Sequence, residues 1–72
     1  MNNIKIDLGG DEFTCRSYYN SDSDQGIEVK KGKKLIGAIQ GLNIPDENGD
    51  DYQKDLAYFT KEVEILLDEK YY

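Results

Sequence analysis

Residues 4–15 read IKIDLGGDEFTC, and this stretch predicts a β-hairpin. Apolar and polar side chains alternate on both sides of two glycines, which is the period of half-buried strands. Glycine adopts the positive φ that tight hairpin turns need, so Gly9, Gly10 and Asp11 predict the turn. The side chains expected on the buried face are Ile4, Ile6, Leu8, Phe13 and Cys15. We therefore expect two antiparallel strands, over about residues 3–8 and 12–19.

The turn also contains a known five-residue motif. Residues 9–13 read GGDEF, the signature of the diguanylate cyclases, and this chain resembles that family there. The resemblance implies that Gly9 and Gly10 let nucleotide phosphates approach the backbone, and that Glu12 helps to hold a metal. It covers five of 72 residues, and Asp7 stands where that family typically has an arginine. We therefore expect a hairpin turn here rather than a cyclase active site.

The next alternating segment predicts a third strand over about residues 26–31. Ile27 and Val29 would face the core, and Glu28 would face outward. Before it, residues 20–26 read NSDSDQG, a composition typical of a loop. An Asn and two Asp alternate there as in a calcium-binding loop. The glycine and glutamate that such a loop needs at its sixth and twelfth positions are missing, so at most weak calcium binding is expected.

The segment at residues 35–42, LIGAIQGL, is compatible with a strand or a helix. Gly37 and Gly41 would each cost a helix about 1 kcal/mol relative to alanine. A strand would instead continue the meander after a tight turn. We therefore favour a fourth strand, over about residues 34–40, followed by a polar linker.

Residues from about 51 to 70 predict an amphipathic helix. Its apolar side chains recur at the 3.6-residue period, and they are Tyr52, Leu56, Phe59, Val63, Leu66 and Leu67. Asp50 or a neighbour is expected to cap the first turn, and Lys70 suits the negative end of the helix dipole. The predicted fold class is α+β: an antiparallel meander of three to four strands, with one C-terminal helix packed across one face of the sheet.

Composition restricts the classes of function. A chain of 72 residues forms a single domain, residues 1–72, with a small core. Histidine is absent, and Cys15, the single cysteine, lies on the predicted buried face. We therefore expect no enzyme activity, no catalytic residue, no cofactor and no metal site. The lone cysteine, and the absence of a long apolar run or a signal-peptide pattern, favour a cytoplasmic protein without membrane association.

The net charge of −6 is unevenly distributed along the chain. Residues 1–42 hold six acidic and six basic side chains, whereas residues 43–72 hold nine acidic and three basic ones. An acidic surface repels phosphate backbones and attracts basic proteins. We therefore expect no direct binding of nucleic acid and a protein partner with a basic surface.

The predicted helix carries two further patterns outside its buried face. Tyr58, Ile65 and Tyr72 recur every seven residues and should be exposed. Four carboxylates fall within a narrow arc beside them: Asp51, Asp55, Glu62 and Glu69. Tyrosine is enriched in protein interfaces, so these seven residues are the candidate partner-binding site.

Two functional hypotheses follow. The first is a small acidic, non-enzymatic protein that binds a protein partner through its C-terminal helix. In a sharper form, it inhibits or modulates a nucleic-acid-binding protein by phosphate mimicry, as small acidic proteins of phages and mobile elements can do. The alternative is a homo-oligomeric structural or accessory protein, a homodimer for example, because a meander leaves edge strands open for pairing.

Overall fold

The sheet and the helix form one α+β unit. The computed structural model describes residues 3–72. Its elements are β1 (Asn3–Leu8), β2 (Asp11–Ser21), β3 (Asp24–Lys31), β4 (Lys34–Gln40) and α1 (Tyr52–Lys70). The strands pair antiparallel in the order β1-β2-β3-β4, and α1 packs on one face of this sheet. The predicted fold class is confirmed, with the four-strand form of the meander.

The first turn has the geometry that the two glycines predict. Leu8 pairs with Asp11 across the end of the hairpin, which leaves a two-residue turn. Gly9 has φ 60° and Gly10 has φ 85°. Positive φ at both central positions is typical of the type I′ turn, whose twist matches that of the flanking strands. The GGDEF stretch is therefore a hairpin turn followed by the first residues of β2.

The predicted loop at residues 20–26 is wrong. β2 continues to Ser21 and β3 begins at Asp24, so the connection is a two-residue turn. The Asn20 amide donates a hydrogen bond to the Asp24 carboxylate at 3.0 Å. Strand pairing joins Ser21 to Asp24 and Tyr19 to Gln25, so the strands extend despite a composition typical of loops.

β4 is a strand, as favoured, and it contains a bulge. The register shifts opposite Val29 and Lys30, where β4 holds an additional residue, Ile36. Gly37 lies next to this bulge, and Leu66 of α1 packs directly over it. A Cβ atom at Gly37 would lie 3.1 Å from a Leu66 methyl carbon. The glycine that weakens a helical interpretation therefore allows the helix to approach the sheet closely.

The core lies between the sheet and α1. Its buried side chains are Ile6, Phe13, Cys15, Ile27, Val29, Leu42, Phe59, Val63, Leu66 and Leu67. Four residues expected on the buried faces are only half-buried, and they are Ile4, Leu8, Tyr52 and Leu56. Leu42 lies beyond the predicted fourth strand, and Gly41 with φ 81° turns the chain after β4 where Leu42 enters the core.

The ends of α1 follow the predicted capping only in part. Asp51, the neighbour of Asp50, occupies the N-cap position, but within residues 3–72 its side chain makes no capping hydrogen bond, so the predicted side-chain cap is not present. The Asp55 N–H donates to the Asp51 carbonyl at 2.9 Å. At the other end, Lys70 lies in the last turn, as its charge predicts.

Candidate functional site

The exposed face of α1 carries two large side chains in solvent. Tyr58 is 60% exposed and Ile65 is 46% exposed, as the seven-residue spacing predicts. Their chain neighbours Phe59 and Leu66 are buried in the core. The exposed pair is therefore held on a helix whose opposite side is fixed by packing.

The four carboxylates follow one flank of the same helix. Asp51, Asp55 and Glu69 are exposed, and Glu62 is half-buried. Glu62 and Glu69 precede and follow Leu66 by four and three residues, so they neighbour it on the helix surface. Because Leu66 packs on Gly37, this row of carboxylates lies on the β4 side of α1.

Tyr72 does not belong to this face. The helix ends at Lys70, and the chain places Tyr72 over the β1–β2 turn. Its hydroxyl donates to the Leu8 carbonyl at 3.3 Å, and its ring meets that of Tyr71 edge-on at 5.0 Å. The side chain is 61% exposed, yet it is attached to the hairpin. The heptad spacing fails here because it assumes a helix that has already ended.

A compact cluster joins the C-terminus to the sheet at this end. The Lys31 ammonium donates to the Tyr71 hydroxyl at 2.8 Å and lies 3.3 Å from the Asp11 carboxylate. The pKa of Lys31 is raised, mainly by the hydrogen bond with Tyr71 and next by the hydrogen bond with Asp11. The Tyr71 ring also meets Phe13 edge-on at 5.4 Å. Lys31 therefore holds the C-terminus in place, and it is not a free binding group.

A groove lies between α1 and the segment that follows β4. Its volume is about 310 Å³, and its lining residues are Gly41, Leu42, Asn43, Ile44, Pro45, Asp46, Asp55, Tyr58 and Phe59. The groove brings together Asp55 and Tyr58, two of the predicted binding residues. The sequence did not predict that residues 41–46 form the other side of the groove, because the polar sequence after Pro45 indicates a linker. The available signal was the apolar pair Leu42 and Ile44 within that segment.

Cys15 is a core residue, as expected from its position in β2. Its side chain is fully buried, and burial raises the pKa of its thiol from 9.0 to about 11. At neutral pH it is therefore a protonated thiol, the unreactive form.

We expect the folded protein to resist alkylation of Cys15 by iodoacetamide at pH 8, whereas the urea-unfolded chain reacts readily.

Because the pKa of the Cys15 thiol is raised in the folded protein, the stabilisation from the buried thiol is complete below pH 9 and is lost as the pH rises through about 11. Urea titrations at several pH values should show a loss of about 2 kcal/mol over this range. Cys15→Ala should have a flatter profile there, and an equally steep one would contradict the assignment.

No family model, curated protein or solved structure matches this chain. Among residues 3–72, no group of three or more Cys, Asp or Glu side chains is placed to hold a metal ion. Within the same range, no helix is both long enough and apolar enough to cross a membrane.

Proposed function

We propose that this protein binds a protein partner with a basic surface, and that it does so through the acidic helix face. This face consists of Asp51, Asp55, Tyr58, Glu62, Ile65 and Glu69. One observation carries the proposal: two large side chains, Tyr58 and Ile65, lie exposed beside a row of carboxylates on a helix that is packed firmly against the sheet. The proposed role is non-enzymatic.

The chemistry of the face suits this role. An aromatic and an aliphatic side chain provide apolar area that gains free energy when a partner covers it. The carboxylates give the face a negative potential, which accelerates the approach of a basic partner and selects against acidic ones. Since the helix is already ordered, binding requires little further loss of backbone entropy.

The sharper form of the proposal is phosphate mimicry. Asp55, Glu62 and Glu69 are seven residues apart, so the row presents a carboxylate about every 10.5 Å along the helix. A partner whose basic side chains normally hold phosphates would meet this row of carboxylates instead.

The helix-face proposal predicts a specific loss of binding. The double variant Tyr58→Ala/Ile65→Ala should reduce capture of the principal protein retained from a lysate by at least about tenfold, because truncating a side chain that anchors an interface typically costs more than about 1 kcal/mol. Each single change should alter the free energy of unfolding by less than about 0.5 kcal/mol, since both side chains are exposed. The measurements are quantitative pull-down and urea denaturation.

The matched control is Tyr19→Ala, which removes an exposed aromatic from the sheet instead of the helix. Tyr19→Ala should leave capture unchanged. Capture by the unsubstituted protein should weaken in 0.5 M salt, because salt screens the attraction between a basic partner and the carboxylates. Equal losses in the control and in the double variant would contradict the assigned surface. Capture that is insensitive to salt would contradict phosphate mimicry.

A second candidate function is self-association through the open edge of β4. Leu35 is 51% exposed on this edge strand, and no charged residue stands between Lys34 and Gln40. The other edge strand, β1, carries Lys5 and Asp7, charges that oppose edge pairing. Sedimentation velocity over a range of concentrations separates the two candidates. A monomer at the highest concentration would remove the second one.

A further inference from the structure

We infer that the groove between α1 and residues 41–46 is a binding site for an arginine side chain of the partner protein. This inference rests on the proposed function and deepens it, because it names the group that the acidic helix face would receive. Its lining includes four apolar residues, two carboxylates from different segments, and one tyrosine ring.

Four apolar residues line the groove. Leu42 and Phe59 are buried in the core beneath it, and Ile44 and Pro45 are half-buried at its side. Ile44 and Pro45 therefore offer apolar contact to the methylene groups of a long side chain. They offer little to a small inorganic cation, which would need a shell of oxygen ligands.

The rim of the groove is negative on both sides. Asp55 comes from α1 and Asp46 from the connecting segment, and both are exposed. The Asn48 N–H donates to the Asp46 carboxylate at 2.9 Å, and the Gly49 N–H donates to the Asp46 carbonyl at 2.9 Å. These bonds hold Asp46 in place. Among residues 3–72, no lysine or arginine lines this groove, so none of these described residues brings a cation to either carboxylate within it.

The Tyr58 ring favours an arginine side chain over a lysine side chain in this groove. A guanidinium is planar, is weakly hydrated and stacks on aromatic rings, and it can donate to carboxylates in two directions at once. An ammonium is a strongly hydrated point charge and gains less from this arrangement. The volume of about 310 Å³ lies at the low end of ligand sites, which suits one long side chain rather than a nucleotide or a cofactor.

The test is an NMR titration of the whole chain with Nα-acetyl-arginine amide at low salt. We expect saturable chemical-shift changes at residues 41–46 and 55–59, with a dissociation constant in the millimolar range. The neutral isostere Nα-acetyl-citrulline amide should produce no saturable change, and Nα-acetyl-lysine amide should bind at least about threefold more weakly. Citrulline or lysine amide that binds as well as arginine amide would overturn the inference.

Variants locate the site. Asp55→Asn should weaken arginine amide binding by about fivefold or more. Asp68→Asn, which removes the same charge from another exposed position of α1, should change it by less than about twofold. Equal effects of the two variants would overturn the assignment of the arginine site to the groove, since they would show attraction by net charge alone.

The two proposals fail separately. If the arginine probe does not bind, but partner capture still depends on Tyr58 and Ile65, only this inference is overturned. A groove that binds the probe, in a protein whose capture is unchanged by the double variant, overturns only the proposed function.

Discussion

Phe59→Ala is expected to lower the free energy of unfolding by about 3–5 kcal/mol, because a buried aromatic leaves a large cavity when it is truncated. Phe59 is fully buried and lies on the face of α1 that packs on the sheet. A domain of this size has a total stability of roughly 4–11 kcal/mol, so the change removes much of it. Urea denaturation followed by circular dichroism measures the loss.

The neighbouring residue provides the control. Tyr58→Ala truncates an aromatic of similar size on the same helix turn, but that ring is exposed, so the expected loss is below about 0.5 kcal/mol. If Phe59→Ala is unfolded in water, the milder Phe59→Leu should still fold and lose less. Similar losses for Phe59→Ala and Tyr58→Ala would mean that α1 is not packed on the sheet through this residue.

Gly26→Ala is expected to cost about 3 kcal/mol, at the upper end of the cost of overpacking. Gly26 lies in β3, between β2 and β4, and pairs with Tyr18 on one side and Gln40 on the other. An added Cβ would overlap the Ile39 carbonyl oxygen and lie 2.9 Å from the Gln40 Cα. Both obstacles are backbone atoms, so they cannot rotate away, and the β3–β4 pairing would have to open.

Gly32→Ala is the matched control for this change. Gly32 has φ 62°, and nothing lies within 4 Å of its would-be Cβ, so the alanine meets only the backbone strain of positive φ, about 1–2 kcal/mol. Thermal unfolding of both variants should therefore rank Gly26→Ala as the less stable. The opposite order would show that strand pairing at Gly26 relaxes at little cost.

Local sequence patterns predicted most of the fold because they record which side of an element faces the core. The alternation around Gly9 and Gly10 placed Phe13 and Cys15 on the buried face, and they are fully buried. The 3.6-residue period did the same for Phe59. These predictions succeed because strand and helix periodicity is a property of neighbouring residues, and it is visible in one sequence.

The candidate site was predicted only in part. The periodicity of α1 identified Tyr58 and Asp55, but it could not show that the segment after β4 folds back beside them. Tyr72 was assigned to the same face, although the chain leaves the helix before it and attaches to the hairpin. Both outcomes depend on contacts between residues far apart in the chain, which periodicity does not record.

The sequence by itself determined the central parts of β1, β2 and β3, the helix, the first turn and the acidic character of the C-terminal part, because each depends on residue type and local spacing. Only the tertiary structure decided that Leu42 enters the core, that Leu66 packs on Gly37, and that Asp55 faces a groove. The physical reason is that burial is shared between segments: a side chain is covered when another part of the chain comes to lie over it, and that placement depends on the packing of the whole domain.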